Sequence, residues 1–255
     1  MANPFFQCKE FIVHQQHTSM KVCTDACLFG AWVSNKALVQ NANSILDIGT
    51  GTGLLSLILA QVTDKNKTKI TAVEIESQAA AEASSNFNLS KWSERLMIVN
   101  DSIQNFATNS IATADKKNKF DSIITNPPFY EGDLKSPDTN KNKAAHSTEL
   151  SWSSLVENSS SLLKEEGHFF VLVPTLRAYT MQKLAEANQM YLAEEVLVYN
   201  DAKHLPFRSF LHFRKAKSPI DKDISVLRNK IVIKNSDNTY SAEFTALLKD
   251  YYLHL

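Results

Sequence analysis

The sequence predicts an α/β fold, in which a mostly parallel sheet carries helices on both faces. Short apolar runs alternate with helical runs through the middle of the chain, and this alternation is typical of parallel strands joined by crossover helices. Three of only six glycines stand at Gly49, Gly51 and Gly53, whereas an average chain of this length carries about 18. The last third of the chain breaks the alternation, which indicates an antiparallel edge.

The first predicted strand and helix enclose the glycines. The run 44–48 is short and apolar, and the run 54–60 has helical length and composition. Ser77 is available as the N-cap of a second helix, and Gly167 follows a later helix as its break. Further strands are predicted at 69–74, 96–99, 120–125 and 168–173, and further helices at 77–89, 152–165 and 176–188.

The runs 190–199 and 209–214 are strand-like, and the connection 200–208 between them is too short for a crossover helix. A hairpin is therefore predicted at this point. Five parallel strands followed by an antiparallel hairpin give a seven-stranded sheet. This arrangement resembles the Rossmann-like fold of the class I methyltransferases.

Two more helices are predicted outside this core, at 25–38 and 243–252. The segment before the first core strand has its own helix and precedes the strand–helix alternation. We therefore expect residues 1–40 to form an N-terminal extension that packs on the ligand site, and residues 41–255 to form the main domain within one structural unit.

The composition excludes several classes of protein. Lysine plus arginine equals aspartate plus glutamate, 27 each, so binding to nucleic acid or to an anionic membrane would require a local patch. No apolar run reaches the ~18 residues of a membrane span, and no signal peptide is visible, so we expect a cytoplasmic protein. The cysteines Cys8, Cys23 and Cys27 match neither a disulfide framework nor a zinc motif, and we predict no metal site.

The glycines follow Asp47 at the carboxyl end of the first core strand, the edge at which open α/β sheets bind nucleotides. Glycine lacks a Cβ atom that would keep a ligand from the backbone N–H groups. A dinucleotide fingerprint requires a small residue at the position of Leu54, and a phosphate-binding P-loop requires a Gly-Lys pair, which the chain lacks. The loop therefore predicts a nucleotide-like ligand; Leu54 counts against NAD, and the missing Gly-Lys pair counts against a P-loop.

Two acidic residues extend this predicted site. Glu74 ends the second core strand, where a carboxylate can accept the hydroxyl hydrogens of a ribose; the alternative is a solvated strand end. Asp101 follows the third core strand and is placed to accept an adenine amine, and a role as a turn or helix cap is the alternative.

The fourth core strand ends in Asn126-Pro127-Pro128-Phe129-Tyr130. The prolines have no N–H groups and keep Asn126 extended, so this turn offers carbonyl and amide oxygens without donors. Such acceptors suit an aromatic NH₂ group, because they stabilise the positive charge that develops when the amine attacks a methyl group. Phe129 or Tyr130 would stack on the base. The alternative is a proline turn that only ends a strand.

The Asn-Pro-Pro-Phe turn and the Asp-x-Gly-x-Gly-x-Gly loop together resemble the amino-group methyltransferases that use S-adenosylmethionine. The ends of the chain resemble one family more closely, the bacterial tRNA1(Val) (adenine-37 N6)-methyltransferases. The matching stretches are Phe11-Ile12-Val13, Met20-Lys21-Val22-Cys23-Thr24-Asp25, Leu28-Phe29-Gly30-Ala31-Trp32, and Phe244-Thr245-Ala246-Leu247-Leu248-Lys249-Asp250-Tyr251-Tyr252-Leu253.

The resemblance implies a donor, a substrate and residue roles. The donor would be S-adenosylmethionine, and the product N6-methyladenine in tRNA. Asn126 and the Pro127 carbonyl would hold the target amine, and Thr24 and Asp25 would help to close the donor pocket. The implied donor-binding residues are Thr24, Asp25, Asp47, Gly49, Gly51, Gly53, Glu74, Asp101 and Asn126.

A tRNA enzyme without net charge needs a local basic surface. The segment 203–234 contains nine basic and two acidic residues, although charged edge strands also occur simply to prevent aggregation. The polar loop 131–148 leaves directly from the catalytic turn. We predict a monomer that contacts RNA through Lys135, Lys141, Lys143, His146, Lys203 and Arg208.

Three alternatives stay open. An RNA guanine-N2 methyltransferase would use similar chemistry, and a protein glutamine N5-methyltransferase would use the same glycine loop with an Asn-Pro-Pro-Tyr turn. An RNA-binding scaffold without activity is the non-enzymatic alternative.

Overall fold

The computed structural model describes residues 3–18, 20–64, 66–112, 119–128, 151–217 and 225–255. The strands are β1 (Phe5–Gln7), β2 (Ile12–His14), β3 (Ser44–Ile48), β4 (Lys69–Glu74), β5 (Leu96–Asn100), β6 (Phe120–Thr125), β7 (Leu163–Pro174), β8 (Met190–Asp201), β9 (Arg208–Lys215) and β10 (Leu227–Lys234). The helices are α1 (Thr24–Ser34), α2 (Ala37–Gln40), α3 (Leu54–Val62), α4 (Ser77–Leu89), α5 (Ile103–Ala112), α6 (Trp152–Leu162), α7 (Ala178–Ala187) and α8 (Ala242–Leu248).

The main sheet has eight strands in the order β10-β8-β9-β7-β6-β3-β4-β5. Strand β9 is antiparallel to β7 and β8, whereas every other pairing is parallel. The predicted α/β class, the parallel core and the β8–β9 hairpin are confirmed. The sheet has one strand more than predicted, because β10 pairs with β8 at the edge and its first four residues are exposed and mostly polar. In that half of the strand, apolar and polar residues do not alternate, so the sequence pattern does not indicate a strand.

Helices cover both faces of the sheet. Buried side chains of α1, α3, α4 and α8 form one core with one face, and those of α5, α6 and α7 form a second core with the other. Neighbouring strand residues such as Ile45 and Leu46 enter opposite cores, as the two-residue period of a strand requires. Gly30 brings α1 close to α3, since a Cβ atom there would lie 2.8 Å from Ile58.

Some predicted elements are corrected. The helix predicted at 152–165 ends at Leu162, and β7 begins at once at Leu163. Gly167 lies inside this strand, after Glu166 at φ 62°, so the irregular backbone bends a strand and does not end a helix. Ser77 is the first residue of α4 and not its N-cap; its hydroxyl donates to Asn100 Oδ1 at 2.9 Å.

Other element ends also move. The helix predicted at 25–38 is divided into α1 and α2, and α5 lies where no helix was predicted. The C-terminal helix is shorter than predicted and begins after Ser241, whose hydroxyl accepts from the Phe244 N–H at 3.0 Å. A 3₁₀ turn at Thr175–Arg177 replaces the start of the predicted helix 176–188.

Candidate active site

Parallel pairing brings the predicted donor and acceptor residues to one edge of the sheet. Strand β3 lies between β4 and β6, with Ile48 opposite Val73 on one side and Thr125 on the other. Gly49, Glu74 and Asn126 each stand next to one of these paired residues. The loop predicted to bind the donor and the turn predicted to hold the target amine are therefore neighbours at the carboxyl edge of the sheet.

The glycine loop has a left-handed backbone at each of its three glycines. Gly49, Gly51 and Gly53 have φ values of 67°, 55° and 84°, a region that L-residues with side chains rarely occupy. A Cβ atom at Gly49 or Gly51 would meet nothing within 4 Å, whereas one at Gly53 would lie 2.5 Å from Phe87. The first two glycines thus border open space that a ligand can enter, and the third allows close packing on α4.

Asp47 fixes the base of this loop. Its Oδ2 accepts hydrogen bonds from Thr50 Oγ1 at 2.6 Å and Ser56 Oγ at 2.7 Å. Its Oδ1 is buried and has no hydrogen-bond partner among the described residues. Burial raises the pKa of Asp47 to about 6, although the two hydroxyl bonds oppose this shift. Through these two hydrogen bonds, the Asp47 carboxylate anchors the glycine loop to the end of β3 and the start of α3.

Glu74 links the loop to β4. Its side chain is buried, with Oε2 accepting from the Gly51 N–H and Oε1 from the Glu76 N–H, both at 2.9 Å. A carboxylate has about four lone-pair sites, so each oxygen can accept one more hydrogen. This geometry suits a carboxylate that grips a ribose diol, and it excludes the alternative of a solvated strand end.

Asp101 has local partners. Its Oδ1 accepts from the Ser102 N–H at 2.7 Å and from Asn105 Nδ2 at 3.0 Å, the pattern of the helix cap considered as an alternative. Its backbone N–H donates to the Glu74 carbonyl at 3.1 Å, so the residue lies beside the ribose-binding candidate. A contact between Asp101 and adenine stays a prediction.

The Asn-Pro-Pro turn is joined to β3 and to α6. The Thr125 hydroxyl donates to the Ile48 carbonyl at 2.9 Å, and Trp152 Nε1 donates to the Pro128 carbonyl at 3.4 Å. Between these two anchors, Asn126 Oδ1 is buried without a hydrogen-bond partner among the described residues. A buried acceptor without a donor is costly, and an incoming NH₂ group would satisfy it. Phe129 and Tyr130 lie outside the described residues.

The start of α1 reaches the same edge. Asp25 Oδ2 accepts from Arg208 Nε at 2.8 Å, and both side chains are largely buried. Arg208 begins β9 opposite Pro174, the last residue of β7. This ion pair joins a residue predicted to bind the donor to one predicted to bind RNA, and sequence reasoning did not anticipate it. Neighbouring Thr24 is exposed, and its donor contact stays a prediction.

Asn86 is a second residue that sequence reasoning missed. Its Nδ2 donates to the carbonyls of His14 and Thr52, both at 2.9 Å, and its Oδ1 accepts from the His14 N–H. One side chain of α4 therefore joins β2 to the glycine loop. Nothing distinguishes this residue in the polar half of the α4 sequence, because its partners lie far away along the chain.

The residues predicted to bind RNA are only partly described. Lys203 is exposed in the β8–β9 connection at the carboxyl edge, whereas Lys135, Lys141, Lys143 and His146 lie outside the described residues. Several cations of the basic segment have local partners: Arg214 pairs with Glu166, Arg228 with Glu195, and Lys215 Nζ donates to the Ser160 carbonyl. The charge available to a ligand is therefore smaller than the sequence count indicates.

Comparison with known proteins identifies the family. The model of the methyltransferase small domain family matches residues 29–194. A tRNA1(Val) (adenine(37)-N6)-methyltransferase of Bacteroides thetaiotaomicron is 35% identical over 257 residues, and the alignment covers 100% of both proteins. A protein of the same name from Trichodesmium erythraeum is 36% identical, with 97% of each chain covered. The chain belongs to the tRNA1(Val) (adenine(37)-N6)-methyltransferase family.

Solved structures agree on the fold. A predicted O-methyltransferase from Agrobacterium tumefaciens superposes with a TM-score of 0.66 at 13% identity, covering 88% of this chain and 95% of that one. A 16S rRNA guanine-N2 methyltransferase of Thermus thermophilus, solved with AdoMet and guanosine, gives a TM-score of 0.55 at 18% identity, covering 83% and 49%. The class I methyltransferase fold predicted from the sequence is therefore confirmed.

The cofactor of the family, S-adenosylmethionine, fits the residues present. The open space beside Gly49 and Gly51 admits a ligand to the loop backbone, and Glu74 retains acceptor capacity for ribose hydroxyls.

In the described part of the chain, no helix is long and apolar enough to cross a membrane. The same residues contain no group of three or more histidine, cysteine or acidic side chains that could hold a metal ion.

Proposed function

We propose that this protein methylates the exocyclic N6 amine of an adenine in tRNA, at position 37 of the valine tRNA named in its relatives. The observation that carries the proposal is Asn126 Oδ1 beside the glycine loop, an acceptor that is buried without a hydrogen-bond partner in the described part of the chain. Full-length similarity to proteins named tRNA1(Val) (adenine(37)-N6)-methyltransferase supports the same substrate.

The chemistry follows from the acceptors of the turn. Bound S-adenosylmethionine supplies a methyl group made electrophilic by a positively charged sulfur. Asn126 Oδ1 would accept one amine hydrogen and the Pro127 carbonyl the other, which localises the nitrogen lone pair and stabilises the positive charge that develops on the amine. Glu74 and the glycine loop would orient the donor, and Phe129 or Tyr130 would stack on the flipped adenine.

The remaining parts of the chain have supporting roles in this proposal. Residues 1–40 would act as an extension that holds the donor site, and the Asn86 link from β2 to the Thr52 carbonyl supports this role. Lys203, with Lys135, Lys141, Lys143 and His146, would contact the RNA backbone as a local basic surface. The enzyme would act in the cytoplasm as a monomer.

Incubation with methyl-labelled donor tests the proposal. Total RNA and total protein from a strain lacking the gene would be offered in parallel, and labelled RNA would be digested to nucleosides. We expect label in tRNA as N6-methyladenosine. Label as N2-methylguanosine would indicate a guanine methyltransferase, and label only in protein would indicate a glutamine methyltransferase. RNA binding without transfer would indicate a scaffold; each of these outcomes would overturn the proposal.

A further inference from the structure

Two strongly exposed leucines lie in neighbouring connections at the carboxyl edge, beyond the catalytic turn. Leu176 is 97% exposed and Leu205 87%, the two highest exposures of large apolar side chains in the described part of the chain. Leu176 follows the end of β7, and Leu205 lies in the β8–β9 connection. The Thr175 N–H donates to the Phe207 carbonyl at 3.4 Å, so the two connections are in contact.

The strand order places the connection that carries Leu176 next to the turn that carries the acceptor Asn126. Strand β7 lies next to β6, on the side opposite β3 and the donor loop. The leucines therefore lie beside the catalytic turn on the side away from the donor loop. Tyr179, 69% exposed in the first turn of α7, adds an aromatic ring near Leu176 in sequence.

The leucines are held outward by ordered connections. Asp201 accepts from the Lys203 N–H and from His204 Nδ1, both at 2.8 Å, and the Phe207 N–H donates to the Val198 carbonyl at 2.9 Å. Because the backbone is fixed on both sides of Leu205, its exposure is a property of the folded loop and not of a frayed one. A group of exposed apolar side chains in neighbouring connections beside an active site is a feature that marks a binding surface, whereas a single exposed leucine would not.

The charges around the leucines favour RNA as the molecule that binds to this surface. The segments 174–179 and 202–207 contain the cations Arg177 and Lys203 and no acidic residue; the nearby Asp201 accepts from the Lys203 N–H and pairs with His204. Mixed cationic and apolar or aromatic groups are typical of surfaces that bind unstacked nucleotides, with cations on phosphates and rings or aliphatic chains on bases.

We infer that Leu176, Leu205 and Tyr179 form a platform for the bases next to the adenine that is methylated. This inference rests on the proposed function. An adenine in an anticodon loop must leave its stack to reach Asn126, and its neighbours then expose apolar faces to water. Leu176 and Leu205 would cover these faces, much as apolar wedges stabilise unstacked steps in other nucleic-acid complexes, and Tyr179 would stack on a base.

Binding of a synthetic valine-tRNA anticodon stem-loop tests the inference. The platform variant combines L176S and L205S, with Y179A made separately. The control is L89S, because Leu89 is 70% exposed at the far end of α4, towards the opposite edge of the sheet. Polar substitution at such exposed sites leaves folding intact. A fully paired duplex of similar length serves as a second probe.

We expect the platform variant and Y179A each to weaken stem-loop binding by about tenfold or more, a scale typical of losing one stacked base. Affinity for the duplex and for S-adenosylmethionine would stay unchanged in both, and L89S would behave as wild type. Wild-type affinity of the platform variant for the stem-loop, or an equal loss on the duplex, would overturn the inference. A change of oligomeric state in this variant would overturn it in favour of a protein contact.

The same experiment separates the inference from the proposed function. Wild-type protein that methylates the stem-loop, together with platform variants that bind it normally, would overturn the platform alone. Wild-type protein that neither binds nor methylates the stem-loop would overturn both.

Discussion

Asp25 and Arg208 are separated by 183 residues in the chain and form an ion pair of 2.8 Å between Oδ2 and Nε. Asp25 stands in the first turn of α1, and Arg208 begins β9. The guanidinium also lies over the Phe207 ring, 5.3 Å from its centroid. The pair therefore connects the helix expected to close the donor pocket with the connection that carries Leu205.

Breaking this pair is expected to affect donor binding. R208Q would leave Asp25 without its cation and loosen the start of α1, so we expect S-adenosylmethionine affinity to fall about fivefold. A double-mutant cycle with D25N, read by calorimetric titration of the donor, would give a coupling of about 1 kcal/mol. Unchanged donor affinity with reduced RNA affinity would instead show that Arg208 acts as the RNA contact predicted from the sequence.

The glycine loop offers a matched pair of substitutions. Gly51→Ala adds a Cβ atom in open space at φ 55°, so it should cost about 1–2 kcal/mol of unfolding free energy through backbone strain and also obstruct the donor. Gly53→Ala places the same atom 2.5 Å from Phe87 and should cost about 1–3 kcal/mol more through overpacking. Urea denaturation and donor titration measure the two effects.

A second substitution separates strain from overpacking at Gly53. F87L in the Gly53→Ala background would remove the ring that the new Cβ meets, so stability should partly return. The same F87L change in the Gly51→Ala background should restore nothing. Equal losses of stability in the two alanine variants would contradict the packing role assigned to Gly53.

Asn126 provides the test of the acceptor turn. At saturating S-adenosylmethionine, Asn126→Ala should reduce methyl transfer by ~10²-fold or more, the scale of losing one aligned transition-state partner. Asn158→Ala is the matched control, because the Asn158 amide donates within its own helix to the Ser154 carbonyl. Single-turnover transfer to tRNA measures the effect, and near-normal turnover in Asn126→Ala would remove this residue from the mechanism.

The sequence predicts those parts of the site that are local in the chain. The glycine loop and the Asn-Pro-Pro turn each form within a few residues, and the order of strands and helices brings them to one edge. The Asp25–Arg208 pair could not be predicted, because it depends on the insertion of β9 beside β7. Lys215 and Arg214 are used within the fold, which a count of charges along the chain does not reveal.

Element ends show a similar limit. Gly167 predicts a break, but β7 pairs with β6 at Leu163 and again from His168, where pairing with β9 also begins, so the irregular stretch lies within a strand. Tertiary pairing overrides the local preference there. Strand β10 has an exposed polar half that resembles a solvated loop, so its pairing with β8 determines its structure.

Two histidines on neighbouring strands make stability dependent on pH. His168 Nδ1 lies 2.9 Å from His212 Nε2, and the His212 ring stacks on Phe170 with centroids 4.4 Å apart. Burial is the main cause that lowers the pKa of His212 from 6.5 to about 3, and the charges of His168 and Lys36 lower it further. Burial also lowers the pKa of His168.

Because the folded chain holds His212 neutral, the unfolded chain binds more protons below pH 6.5. The contribution of neutral His212 to stability is therefore fully present above this pH and is lost as the pH falls towards 3. At 1.36 kcal/mol per pH unit, His212 accounts for about 2 kcal/mol between pH 7 and pH 5. The raised pKa of Asp47 contributes in the opposite direction over the same pH range, so the His212 contribution is read as a difference between variants. Urea denaturation at both pH values should show a larger loss in wild type and in the control H254Q, at an exposed histidine, than in H212F, which keeps the ring on Phe170. An equal loss in H212F would show that other groups control the acid response.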